Sequence, residues 1–165
     1  MKLFLPIFSF VAAQRGDPIG LRVWNEDVDE RIPVTLTANA PTASWSLFTD
    51  PVTGKYEPNK YYRVTAIAPE GYKIRVDLSN FRLEDHGFSG ECTNDKVDIF
   101  DGPDGNNLIE TFCGKGLKPA LKSTGTTLAV VFKSNENGIV DTGFDVVFTA
   151  EPLPAEDDDW NSILT

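Results

Sequence analysis

The sequence predicts an all-β protein, an antiparallel β-sandwich, and three observations support this fold class. Apolar residues alternate with polar ones at a period of two, as in Tyr72, Ile74, Val76 and Leu78. Clusters of glycine, proline, asparagine and aspartate separate the apolar runs and indicate turns. No run shows a sustained helical period. About eight short strands without a helix pack most economically as two stacked sheets.

The predicted strands follow one another through the middle of the chain, with one irregularity. The alternation changes phase between Leu78 and Phe81, which predicts a bulge or a change of strand near Ser79 and Asn80. The candidate strands are 34–38, 44–48, 61–68, 72–78, 97–99, 108–112, 128–132 and 144–148.

The two ends of the chain differ from this middle. Met1-Lys2 and an apolar run ending in Val11-Ala12-Ala13 are typical of a signal peptide that is cleaved after Ala13. The run is too short for a membrane span, which takes about 20 apolar residues. We therefore expect a secreted, extracellular protein with no membrane span. The predicted parts are a signal peptide (1–13), an N-terminal extension (14–40), one folded domain (41–150) and an acidic flexible tail (151–165).

The charge of the chain limits its partners. The sequence has 25 acidic and 15 basic residues, a formal net charge of −10. Such a chain repels polyanions, which excludes nucleic acid as a partner. It attracts cations, basic proteins or the calcium-rich face of a mineral. The alternative is that the acidity serves only solubility.

The residues that enzymes use are scarce in this chain. Any catalytic triad or imidazole zinc site would have to use His86, the one histidine, and no nucleophile-elbow sequence surrounds the nearby Ser89. The two cysteines, Cys92 and Cys113, follow a secretory leader, and an oxidising route leaves few thiols unpaired. We therefore expect a non-enzymatic protein with one disulfide.

Several short motifs resemble the CUB domain family. They occur in family order and at family spacing over about residues 55 to 150, although the N-terminal cysteine pair of many family members is missing. The resemblance implies a CUB-like jelly-roll, found in secreted proteins that bind proteins or sugars. The motifs are Phe81-Arg82-Leu83-Glu84, Cys92-Thr93-Asn94-Asp95, Asp101-Gly102, Phe112-Cys113-Gly114, Leu128 to Ser134 and Gly143-Phe144.

The resemblance also implies a calcium site at one end of the domain. The three acidic positions of the calcium-binding CUB pattern are here Glu84, Asp95 and Asn135, so two of the three acids are present. The side-chain carbonyl of Asn135 can still coordinate calcium, but the site then has one negative charge fewer than a site with three acids. Asn137 and Asp141 are further candidates in the same loop. The alternative is that Glu84 and Asp95 only organise loops by hydrogen bonding.

The function implied by the resemblance is a secreted CUB module that mediates calcium-dependent binding of an extracellular protein. In similar calcium-binding CUB domains, the ion arranges acidic side chains around a lysine or arginine of the partner. Glu84, Asp95 and Asn135 are therefore also the predicted partner-binding residues. The alternative is an acidic structural component of an extracellular or biomineral matrix, skeletal or shell. Such a component would bind many calcium ions weakly through its net charge and tail.

Overall fold

A computed structural model describes residues 29–154 as two stacked β-sheets. The predicted signal peptide and most of the predicted extension and tail lie outside these residues. Within the described range there is no helix that could cross a membrane. The strands are β1 (Glu30–Thr35), β2 (Thr42–Ser46), β3 (Tyr61–Ile67), β4 (Tyr72–Arg82), β5 (Lys96–Asp101), β6 (Asn107–Phe112), β7 (Leu121–Lys122), β8 (Thr127–Lys133) and β9 (Gly143–Pro152).

The strand order confirms the predicted all-β sandwich. One sheet has five strands in the order β1-β3-β8-β5-β6, and the other has four in the order β2-β9-β4-β7. Every pair is antiparallel except β1 with β3, which is parallel. Parallel neighbours need a crossover connection. Here the chain passes from β1 to β2 in the opposite sheet and then returns as β3 beside β1.

The first strand begins earlier than the sequence pattern predicted. The predicted strand was 34–38, whereas β1 covers Glu30–Thr35 and so joins a part of the predicted extension to the sheet. Its pattern is weak because β1 is the edge strand of the sheet formed by residues 29–154, and within that range two of its side chains, Ile32 and Val34, pack on the core. Its edge position also tolerates Pro33, which cannot donate to a ladder. At the other end, β9 continues to Pro152, beyond the predicted start of the tail.

The main core lies between the two sheets and orients one tyrosine toward an end of the sandwich. Phe132 packs against Tyr56 at a ring-centroid distance of 5.2 Å and against Phe144 at 6.1 Å. Tyr56 is only 2% exposed, although it lies in a loop between β2 and β3. The fully buried aliphatic residues that alternate along the strands include Val64, Ala66, Ile74, Val97, Ile99, Leu128 and Val146.

The predicted irregularity in β4 is confirmed. The register between β4 and β9 shifts between Ser79 and Arg82, and Asn80 has φ of 52°. Asparagine tolerates this left-handed conformation better than most residues. Its side-chain amide donates to the Asp145 carboxylate at 2.6 Å, which fixes the bulge on the neighbouring strand. The shift leaves Phe81 buried and brings the end of β4 to one end of the sandwich.

The predicted disulfide is also confirmed. Cys92 and Cys113 are bonded, with their Cα atoms 5.6 Å apart. The bond joins the loop between β4 and β5 to the residue that follows β6. On the chain-entropy model, closing a loop of this length stabilises the folded state by about 3 kcal/mol. The disulfide therefore limits the movement of the loop that precedes β5.

Candidate metal centre at one end of the sandwich

The three residues predicted as calcium ligands come together at one end of the sandwich. Glu84 follows β4, Asp95 immediately precedes β5, and Asn135 follows β8. Since β5 and β8 are antiparallel neighbours, the start of one lies beside the end of the other. The backbone N–H of Asn135 donates to Asp95 Oδ1 at 2.8 Å, and the Asn135 amide donates to Glu84 Oε2 at 3.3 Å.

Asp95 is a buried carboxylate that lies close to a second one. It is 1% exposed and accepts hydrogen bonds from the Tyr56 hydroxyl at 2.6 Å and from the Asn135 backbone. Burial raises the pKa of Asp95 above its ordinary value, and the negative charge of Glu84 raises it further. The hydrogen bonds from Tyr56 and Asn135 lower the pKa, but they do not cancel the effect of burial. Among residues 29–154, neither Glu84 nor Asp95 forms a salt bridge.

Tyr56 is a member of this site that the sequence analysis missed. Its hydroxyl donates to Asp95 Oδ2 and accepts the backbone N–H of Glu84 at 3.1 Å, so it joins the two acidic loops. Burial and the neighbouring Asp95 raise the pKa of Tyr56, which keeps the hydroxyl a neutral donor. The only sequence signal is an aromatic residue within the polar segment 53–60, which has no strand pattern.

Asn137, one of the two further candidate calcium ligands, contacts Glu84. Its amide donates to Glu84 Oε1 at 3.1 Å and Oε2 at 3.3 Å, and its backbone N–H donates to the Asn135 side-chain oxygen at 3.0 Å. The Glu84 carboxylate is thus held by two neutral amides. These bonds perform the loop-organising role that the sequence offered as the alternative to calcium binding.

Asp141, the other further candidate, is engaged by basic side chains instead. Arg82 Nε lies 3.2 Å and Lys115 Nζ 3.1 Å from its carboxylate oxygens. Burial raises the pKa of Asp141, but hydrogen bonds from the Thr142 backbone, Lys115 and Arg82 outweigh this and hold the pKa below its ordinary value. Across the described part of the chain, no group of three or more acidic, histidine or cysteine side chains could hold a metal ion.

The donor chemistry of the cluster fits a hard cation such as calcium. Calcium takes six to eight oxygen ligands, mixing carboxylates with amide and backbone carbonyls. Glu84 and Asp95 supply carboxylate oxygens that retain free lone pairs after the hydrogen bonds described above. The amides of Asn135 and Asn137 supply oxygens once they rotate, since each now directs an NH₂ group at Glu84. These four residues are the ones that would hold the ion.

His86 has no catalytic arrangement around it in the described residues. It lines a depression with Glu84, Asp141 and Lys115, beside Gly114. No hydrogen bond joins its ring to a serine, cysteine or carboxylate in residues 29–154. The described residues therefore form neither a triad nor an imidazole zinc site around His86.

The two-sheet jelly-roll sandwich defines the class of domain, and the sequence assigns its family. The profile of the CUB domain family matches residues 40–148, and the chain belongs to this family. The Cubilin homolog of Drosophila melanogaster is 36% identical over 81 residues, which are 48% of this chain and 2% of that protein. Exoskeleton protein RP43 of Riftia pachyptila is 35% identical over 68 residues, 41% of this chain and 16% of that protein.

Solved structures show the same fold. The MASP-1 CUB2 domain bound to Ca²⁺ superposes with a TM-score of 0.56 and 19% sequence identity, covering 70% of this chain and 96% of that one. At this identity the likeness shows the fold alone. The chain spans only a small part of the curated relatives named above, 2% and 16% of their lengths.

Proposed function

We propose that this chain is a secreted, non-enzymatic binding module that recognises an extracellular protein through a calcium ion held by Glu84, Asp95 and Asn135. The family assignment supports a binding module, and the Ca²⁺-bound state of the structurally similar MASP-1 domain supports calcium. When bound, the ion supplies a concentrated positive charge that fixes the surrounding carboxylates. Asn137 is a further ligand candidate from the same loop.

One observation carries the proposal: among residues 29–154, the hydrogen bonds to the neighbouring carboxylates of Glu84 and Asp95 come from neutral donors. Like charges at short distance, with one of them buried, destabilise the folded chain unless a cation or a proton joins them. Burial is the main cause of the raised pKa of Asp95, and the charge of Glu84 adds to it. A divalent cation would relieve the repulsion without protonation. The cluster is therefore better suited to bind a cation than to stabilise the domain by itself.

The partner we propose carries a basic side chain. A chain with a net charge of −10 attracts basic surfaces at long range. At short range, carboxylate oxygens of Glu84 and Asp95 that the ion leaves free would accept hydrogen bonds from a lysine or arginine, and charge-assisted bonds are about twice as strong as neutral ones. Calcium would fix these oxygens in one orientation, which makes the recognition calcium-dependent.

Calorimetric calcium titration of the chain tests the metal site. We expect one saturable site that Glu84→Gln removes, because the variant keeps the shape of the side chain and loses its charge. Glu136→Gln is the matched control, since Glu136 is exposed beside Asn135 and the variant changes the net charge equally. Asn135→Asp should bind calcium more tightly, because it adds a third acid. Equal binding by wild type and Glu84→Gln would contradict the proposal.

A second titration tests the basic partner. Nα-acetyl-lysine amide is added to the calcium-loaded chain, and the side-chain amide resonances of Asn135 and Asn137 are followed by NMR. The norleucine analogue, which has the same carbon chain without the ammonium group, serves as the control probe. We expect shifts with the lysine probe only, and only with calcium present. Equal shifts with both probes would show that charge recognition is absent.

The second candidate function is an acidic structural component of an extracellular or biomineral matrix. The observation that favours it is the 35% identity to an exoskeleton protein, Riftia RP43, over 68 residues. This function would use the net charge of −10 and the acidic residues 156–159 rather than a single site. In the calcium titration it predicts many weak sites, unchanged in Glu84→Gln and reduced in a chain that ends at Pro154.

A further inference from the structure

The loop between β8 and β9 contains the one Asn-Gly pair of the chain, Asn137-Gly138, and both residues are exposed. An asparagine that precedes glycine is chemically labile, because the backbone nitrogen of the next residue can attack the side-chain carbonyl carbon. Glycine has no Cβ to hinder that approach. Every other asparagine of this chain precedes a residue with a side chain. Asn137 is therefore the asparagine of this chain whose amide is easiest to lose.

The fold itself favours glycine at position 138. Gly138 has φ of 76°, in the left-handed region that residues with a side chain rarely adopt. A Cβ built at this position would meet no atom within 4 Å, so the space beside the Gly138 nitrogen is open. Among residues 29–154, no hydrogen bond engages the Gly138 N–H. The attacking nitrogen is thus neither shielded nor held by an acceptor in the described part of the chain.

The contacts of the Asn137 side chain activate its carbonyl carbon for this attack. Oδ1 accepts the backbone N–H of Ile139 at 2.8 Å, in an Asx turn that folds the side chain back along its own backbone. A donor on this oxygen stabilises the negative charge that develops there when the carbon is attacked. Nδ2 donates to the Glu84 carboxylate oxygens at 3.1 and 3.3 Å. A carboxyl group at this nitrogen can relay the proton that the nitrogen needs in order to leave.

We propose that Asn137 is a deamidation site in the folded chain, with water as the co-reactant. The Gly138 nitrogen forms a bond to Asn137 Cγ and loses its proton to water or hydroxide. The bond between Cγ and Nδ2 breaks, and Nδ2 gains a proton and leaves as ammonia, so that a cyclic succinimide remains. Water then opens the ring at either carbonyl carbon and yields aspartate or isoaspartate. The net change is amide plus water to carboxylic acid plus ammonia, without oxidation or reduction.

The product changes the charge of the candidate metal centre. Asn137 now donates hydrogen bonds to the Glu84 carboxylate, whereas a carboxylate at position 137 can only accept them. Glu84 then faces a second acid in addition to Asp95, and such like charges repel one another unless a cation joins them. The reaction thus adds a third acid to the cluster, which increases its affinity for calcium. This consequence rests on the proposed function, whereas the reaction itself does not.

Peptide mapping by mass spectrometry, after incubation of the folded chain at mildly alkaline pH, tests the site. Trypsin cuts after Lys133 and no lysine or arginine follows, so one peptide carries both Asn137 and an internal reference, Asn135. We expect aspartate and isoaspartate to accumulate at position 137 and not at 135. Gly138→Ala should slow the conversion several-fold, because the added methyl group hinders the attack. Ile139→Ala is the matched control, since this exposed residue keeps its backbone N–H and the rate should not change.

Two results would overturn the deamidation site. One is the absence of conversion at position 137 in folded wild type. The other is a rate that rises with small additions of urea in proportion to the unfolded fraction, because the reaction would then belong to the unfolded chain. A rate that is constant below the unfolding transition supports the proposal.

Calcium titration of Asn137→Asp, which mimics one product, separates this inference from the proposed function. Tighter binding than in wild type supports the effect on the metal centre, and equal binding refutes that effect. If Asn137 is converted but neither form binds calcium, the modification site stands and the calcium-dependent function fails. If calcium binds at the Glu84 site but Asn137 is not converted, the proposed function stands and the deamidation site fails.

Discussion

Replacing Tyr56 with phenylalanine should destabilise the metal-free chain and weaken its acidic cluster. The change removes a hydroxyl that donates to Asp95 at 2.6 Å and accepts from the Glu84 backbone at 3.1 Å, and leaves the ring in place. A hydrogen bond to a charged group contributes about 1.5–3 kcal/mol. The Glu84 N–H, left without its acceptor, adds about 1 kcal/mol. We expect a loss of about 2.5–4 kcal/mol in the free energy of unfolding.

Urea denaturation in the presence of a chelator measures this loss. Tyr72→Phe is the matched control, because Tyr72 is half-buried and its hydroxyl makes no hydrogen bond with the described residues. The control should change stability by less than about 0.5 kcal/mol, as is usual away from buried polar contacts. The reasoning fails if Tyr56→Phe is as stable as the control. It also fails if calcium affinity is unchanged, since Tyr56 is the residue that joins the two acidic loops.

Three further predictions concern stability. The pKa of Asp95 is raised in the folded state above its ordinary 3.8, so this carboxyl destabilises the chain at neutral pH. Wild type should therefore gain stability relative to Asp95→Asn as the pH falls from 7 toward about 4; a constant difference in chelator would contradict this. Cys92→Ser/Cys113→Ser should lose about 3 kcal/mol by urea denaturation, a loss that added reductant reproduces in wild type. Gly143→Ala should lose about 1–3 kcal/mol by the same measurement, because Gly143 has φ of 86° and an added Cβ would lie 3.0 Å from Leu47; an unchanged midpoint would refute that strain.

The sequence by itself determined the sheets, the bulge and the disulfide. Most strands have one face on the core and the other toward water. Apolar and polar residues therefore alternate along the strand with a period of two, which the sequence shows directly, as in β4. At Ser79 and Asn80 this alternation is interrupted, and the interruption indicated the bulge. The disulfide was predictable because only two cysteines were available and a leader-like segment precedes them. These are local or compositional properties, so no long-range contact was needed to infer them.

The tertiary structure decided the features that depend on residues far apart in the chain. Tyr56 reaches Asp95, 39 positions away, and Asn135 reaches Glu84 across 51. Asp141 likewise forms salt bridges with Lys115 and Arg82 instead of joining the acidic cluster, and these partners are distant in sequence. β1 was not fully recognised from the pattern because, in the described part of the chain, two of its side chains, Ile32 and Val34, pack on the core. A local period records which face of a strand is buried, but not which strands become neighbours, and that pairing determines which charges and hydroxyl groups meet.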